Sequence, residues 1–166
     1  IKMFDVANLE LRLEDFESFL ISRAKVKKRD VGVYFYDAIH DYRSQLFALM
    51  QAHNVLCDGG VILVDDVNYG HVRYASYDFI SAFPEFKLVF ESYTRVHPNE
   101  MTPEQLHESR EGWWNGVHII VHDPQNQFIG LQPTWQQKVH EKFHETLLLT
   151  RARSIDMPTK IATLRS

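Results

Sequence analysis

Two aspartate positions stand directly behind apolar runs. Asp37 follows VGVYFY (31–36), and Asp65-Asp66 follows VILV (61–64). His40 comes three residues after Asp37. Carboxylates gathered in one place repel one another unless a cation sits between them, and Mg²⁺ and Ca²⁺ are hard ions that prefer such oxygen ligands. A neutral imidazole beside them can accept a proton near pH 7. These residue types suggest a divalent-cation site made by Asp37, Asp65 and Asp66, with His40 facing it as a base. Acids also favour strand ends and helix starts for local reasons. Asp41 reads as such a cap, and Asp37 taken alone is explained equally well that way. The adjacent pair Asp65-Asp66 is harder to explain as a turn.

Such a site requires elements that bring the acids together. Both apolar runs are short, unbroken and rich in β-branched or aromatic residues, the pattern of fully buried strands. Residues 41–53 suit a helix, with Tyr42, Leu46, Leu49 and Met50 sharing a face. A strand–helix–strand crossover of this length joins parallel strands. Asp37 and the pair Asp65-Asp66 then leave the sheet at the same edge, and neighbouring strands there are about 4.8 Å apart. Open α/β sheets bind ligands just outside the carboxyl ends of their strands.

The rest of the chain extends this α/β pattern. Residues 1–5 suggest a short strand. Residues 9–24 put Leu9, Leu13, Phe16 and Leu20 on one helical face. Asp58-Gly59-Gly60 reads as a turn, and 71–83 as a helix stopped before Pro84. Strands are predicted at 86–92 and 117–122. Between them, 93–112 reads as a polar surface loop with a short helix after Pro103. A turn at 123–127, a returning strand at 128–131 and a helix at 134–150 complete the pattern, before a loosely ordered tail from Arg151. The domain is thus expected over 1–150, with 151–166 as a C-terminal tail.

Composition bounds the partners. The chain has 166 residues, 45% hydrophobic and 24% charged, which is ordinary globular composition. Lys+Arg 18 against Asp+Glu 22 gives −4, so nothing points to nucleic acid or an anionic membrane surface. The single cysteine, Cys57, excludes an internal disulfide and reads as a buried small hydrophobe. A cytoplasmic location is the default expectation, and no membrane-spanning stretch is visible.

Three other groups compete for attention. His140-Glu141-Lys142-Phe143-His144 spells the H-E-x-x-H zinc-protease pattern. The apolar stripe Trp135, Val139, Phe143 and Leu147 makes a surface helix with two histidines the better reading. Trp113-Trp114 could line a pocket, and packing at a strand start explains them equally well. His118 and His122 alternate with apolar residues on one strand face and read as structural.

The stretch Y-F-Y-D-A-I-H-D-Y, then a helix, then D-G-G-V-I-L-V-D-D resembles the class I S-adenosylmethionine-dependent methyltransferases. Within these it is most similar to the metal-dependent O-methyltransferases and their macrocin O-methyltransferase-like relatives. V-N-Y-G-H-V-R (67–73) and W-W-N-G (113–116) extend the resemblance. It implies a Rossmann-like sheet, mostly parallel, closed by an antiparallel C-terminal hairpin whose final strand lies last but one in space. It implies metal ligands at Asp37, Asp65 and Asp66, a general base at His40, and cofactor contacts at Asp5, Asp37 and Ala38. The implied cofactors are S-adenosylmethionine and Mg²⁺ or another divalent cation. The implied partner is a small-molecule acceptor carrying a hydroxyl, with a homo-oligomer left open.

Two departures accompany the resemblance. Ile39 stands where the family often has a second acid. The seven glycines, at 32, 59, 60, 70, 112, 116 and 130, form no E/D-x-G-x-G loop. The chain therefore reads as the C-terminal part of a domain whose N-terminal strands lie upstream. The rival reading is a methyltransferase-like binding module without catalysis.

Overall fold

Asp15 sets the start of the first helix. Its carboxylate accepts the Ser18 amide N–H at 2.8 Å, so α1 spans Phe16–Lys25 and one otherwise free donor of its first turn is satisfied. The apolar spacing over 9–24 predicts an earlier start, but residues 9–14 precede the cap and are not helical, and Leu9, Leu11 and Leu13 are exposed. The computed structural model describes residues 8–93, 101–111 and 115–132. The expected strand at 1–5 with Asp5, the Trp113-Trp114 pair, the helix at 134–150 with its H-E-x-x-H pattern, and the tail lie outside the described residues.

The elements that follow are β1 (Val31–Tyr36), α2 (Tyr42–Val55), β2 (Leu56–Asp65), α3 (Gly70–Ala82), β3 (Phe86–Ser92), α4 (Pro103–Glu111) and β4 (Val117–His122). Asp41 caps α2 as expected, accepting both the Ser44 amide and the Ser44 hydroxyl at 2.9 Å. The fold is α/β, with a four-stranded mixed sheet in the order β1-β2-β4-β3. β1 and β2 pair in parallel, and β4 runs antiparallel to both β2 and β3. Among the described residues the last strand in sequence thus lies last but one in space. Among the described residues, no helix is long and apolar enough to cross a membrane.

Among the described residues, packing is one-sided. Leu46 and Leu49 of α2 and Val72 and Phe79 of α3 join Ile62, Val64, Leu88 and Ile120 of the sheet in one buried cluster. On the other face the register sets Phe35, Leu63, Ile119 and Phe90 side by side. Val33 is 64% exposed and Phe35 59%. The expectation of a fully buried strand at 31–36 therefore fails, with Tyr36 its one buried residue. The cause is position, since β1 lies at an edge of the described sheet and α2 covers its neighbourhood from one side.

Two turns also differ from expectation. Asp58-Gly59-Gly60 lies inside β2 as a bulge, because Val31 pairs with Leu56 while Val33 pairs with Val61. Gly60 is required there: a Cβ would sit 2.6 Å from Leu56 Cγ and 2.9 Å from the Cys57 carbonyl oxygen. Cys57 beside it is half-buried, not fully buried. Residues 128–131 form no strand. Asp123 accepts the Gln127 and Phe128 amides, and one bond from Leu131 N–H to the Leu88 carbonyl, 2.7 Å, ties the segment to β3.

His118 and His122 share the buried face of β4, as a structural role requires. His122 Nδ1 donates to the Cys57 carbonyl at 2.9 Å, and His118 Nε2 to Glu91 at 2.7 Å. Tyr77 Oη donates to the same Glu91 oxygen. Burial holds the His118 imidazole below its ordinary 6.5, against the opposing pull of Glu91. The folded state therefore binds fewer protons than the unfolded state, so stability is full above pH 6.5 and is lost as pH falls towards the depressed native value. His118→Gln, which keeps an N–H for Glu91, should flatten the loss of urea stability between about pH 7 and pH 5 relative to the wild type. Parallel pH profiles for the two proteins would contradict this account.

Candidate metal centre

β1 and β2 end together. Tyr36 pairs with Val64, so Asp37 and Asp65 each stand one residue beyond that pair, at the carboxyl ends of adjacent parallel strands. The chain from 37 to 41 is held at both ends. Tyr36 is buried and its hydroxyl reaches the Ile39 carbonyl at 3.4 Å, while Asp41 is committed to the α2 cap. His40 lies between these anchors. Its Nε2 is 2.6 Å from Asp66 Oδ2 and 3.8 Å from Asp37 Oδ1. One donor atom from each of Asp37, His40 and Asp66 lies within 4.8 Å of the others. The His40 ring stacks on Tyr69 at 5.9 Å between centroids, and Tyr69 on His71 at 5.7 Å.

Asp66 is shaped by its backbone. Its φ of 58° is left-handed, a conformation Asp and Asn tolerate better than other side-chain-bearing residues. Asp65 Oδ1 accepts the Asp66 amide at 2.8 Å, and the Asp66 carbonyl accepts the Tyr69 amide at 3.0 Å. The next residues are tied to the start of β4 by the Asn68 amide, 2.9 Å from the Asn115 carbonyl. Gly116 makes that approach possible. Its φ is 82°, and a Cβ would sit 2.9 Å from atoms of Asn68, Val67 and Tyr93.

The site carries unbalanced charge. Asp66 is only 7% exposed, whereas Asp37 and His40 face solvent. Burial raises the Asp66 carboxyl above its ordinary range. His40 pulls it back, and the charges of Asp65 and Asp37 push it further up. A buried carboxylate facing two other acids is an arrangement that a cation relieves. Two oxygen donors and one nitrogen, open on the solvent side, would leave coordination positions for water or a substrate oxygen.

Of the residues the sequence points to, the structure brings together Asp37, His40 and Asp66. Asp65 lies outside this group, its Oδ1 engaged by the Asp66 amide, though its charge is felt at Asp66. Ala38 is exposed in the loop after β1. Asp5 lies outside the described residues. His40, expected behind the ligands as a base, stands among them. The supporting residues His71, Arg73, Asn115 and Gly116 were not singled out by residue chemistry. Their signals were V-N-Y-G-H-V-R directly after Asp65-Asp66, and N-G directly before the last strand.

Family models, curated proteins and solved structures offer no match to this chain.

Gly116→Ala should displace residues 67–68 and cost about 2 kcal/mol, since it adds both a positive-φ penalty and a steric clash. Urea unfolding measures it. A change below about 0.5 kcal/mol, the usual range for neutral surface substitutions, would show that the Asn68–Asn115 approach is loose.

Proposed function

We propose that this chain carries the divalent-cation and acceptor site of a Rossmann-like, S-adenosylmethionine-dependent O-methyltransferase. One observation carries the reading: Asp37, His40 and Asp66 meet within 4.8 Å at the carboxyl ends of two adjacent parallel strands. The sheet order and the antiparallel last strand are compatible with it.

The residues fit a divalent cation. Asp37 and Asp66 balance its charge and fix its place, and the burial of Asp66 strengthens that attraction. The ion supplies Lewis acidity that favours the ionised form of a bound hydroxyl. His40 would supply the third donor, its Nε2 lying 2.6 Å from Asp66 Oδ2, and the acceptor's proton would leave to solvent on the open side. S-adenosylmethionine does not fit in the same way. The glycines of residues 1–166 form no cradle for it, and Asp37 and Ala38 do not make one by themselves. The second reading is a binding module that holds a cation without transferring methyl groups.

Mn²⁺ titration followed by electron paramagnetic resonance tests the cation site. Asp37→Asn and Asp66→Asn should each weaken Mn²⁺ at least about tenfold, roughly 1.4 kcal/mol. His40→Ala should weaken it too, since it removes the third donor, whereas Asp65→Asn should change it by less than about threefold, within the scatter of surface substitutions. Unchanged affinity in Asp66→Asn would sink the site. Transfer of a labelled methyl group from S-adenosylmethionine to hydroxyl acceptors by the gene product carrying this sequence tests the reaction. It should require a divalent cation and fall in Asp66→Asn, and its absence in a cation-binding protein would favour the binding module.

A further inference from the structure

The three donor atoms come from two separate loops, and pairing of β1 with β2 fixes only where those loops begin. The first turns of α3 reach both. His71 Nε2 donates to the carbonyl of His40, in the loop after β1. Arg73 Nη1 donates to the carbonyl of Val67 and, at 3.3 Å, to that of Asn68, in the loop after β2. The guanidinium is itself fixed, lying 4.0 Å over the Tyr93 ring and 5.7 Å from the centre of Tyr74. Its buried Nε has no hydrogen-bond partner among the described residues, so packing and the two carbonyl contacts determine its placement.

We infer that His71 and Arg73 are positioning residues that clamp the two loops of the cation site against one helix. Asp66 occupies a left-handed conformation, and such conformations persist where surrounding contacts over-determine them. The carbonyls of Val67 and Asn68 directly follow Asp66, so a donor that holds both holds Asp66 in its turn. Arginine suits this task because its planar fork presents several N–H groups at fixed spacing, whereas a lysine ammonium offers a flexible point charge. His71 does the complementary work, since a bond to the His40 carbonyl fixes that residue's backbone while leaving its ring free to meet Asp66. The shared origin of the two contacts, two residues apart on one helix, couples the loops. The apolar core sets α3's place on the sheet through Val72 and Phe79, and the clamp passes that placement on to the donor atoms.

This inference rests on the cation reading for one of its two readouts, and the other is independent of any metal. The first readout is hydrogen exchange of the Asn68 and Tyr69 amides in metal-free full-length chain, with the Ile62 and Ile120 amides as internal controls of global stability. Arg73→Met should speed exchange at Asn68 and Tyr69 by about tenfold or more while the controls hold, with Arg73→Lys intermediate. The second is Mn²⁺ affinity. Loss of groups that orient ligands typically costs 10–100-fold, so Arg73→Met and His71→Leu should each weaken Mn²⁺ by about that factor. His71→Gln, which restores an amide donor, should recover most of the loss at that position. Should Arg73→Met fail to fold, Arg73→Lys and the His71 pair still decide the matter. Unchanged exchange at Asn68 and Tyr69, or faster exchange with unchanged Mn²⁺ affinity, overturns the positioning role of Arg73. Equal affinities in His71→Leu and His71→Gln overturn that of His71. A wild-type chain that binds no Mn²⁺ overturns the cation site itself, and the exchange measurement then still decides whether α3 holds the loop after β2.

Discussion

Parallel pairing of β1 with β2 is the constraint on which the rest depends. It sets Tyr36 beside Val64 and so delivers Asp37 and Asp66 to one edge of the sheet. The pairing is enforced from below by the α2 crossover. Leu46 and Leu49 are buried against Ile62 and Val64, and burying a leucine is worth roughly 1.5–3 kcal/mol. A one-residue slip of register would turn Ile62 and Val64 to the open face. The charged edge is therefore held in place by an apolar interior that takes no part in its chemistry.

At that edge, local backbone devices govern where each acid points. Asp41 caps α2, Asp65 accepts the Asp66 amide, and Asp66 occupies a left-handed turn supported through Asn68, Asn115 and Gly116. Asp37, Asp41, Asp65 and Asp66 thus divide into two that hold backbone and two that face each other with His40 between them. The burial that raises the Asp66 carboxyl is a cost the folded chain carries in the absence of a counter-charge. Raised carboxyls of this kind, at a solvent-open strand end, cluster at functional sites.

Asymmetry of the sheet is the second consequence of its order. α2 and α3 pack together over one face, and the row Phe35, Leu63, Ile119 and Phe90 lies on the other. Sheets with parallel strands usually have both faces covered. Among the described residues β1 is an edge strand, and it exposes the apolar Val33 and Phe35.

Much of this was legible in the sequence. The α/β alternation, the limits of α2, β3 and β4 to within a few residues, the helix after Pro103 and the convergence of Asp37 with the 65–66 pair all follow from periodicity, capping chemistry and the direction of a crossover. Those are local rules, and they operate on neighbours along the chain. The errors share a different cause. VGVYFY reads as buried because its composition is apolar, yet burial depends on what lies across the sheet. Asp58-Gly59-Gly60 reads as a turn because glycines favour turns, yet its outcome as a bulge depends on the register with Val31. The paired aspartates look equivalent in sequence, and a single positive φ separates Asp66 from Asp65. The sequence by itself determined which residues could do chemistry and at which edge they would emerge. Tertiary structure decided which of them meet, because that depends on one backbone angle and on contacts from α3 and β4 that no local pattern encodes.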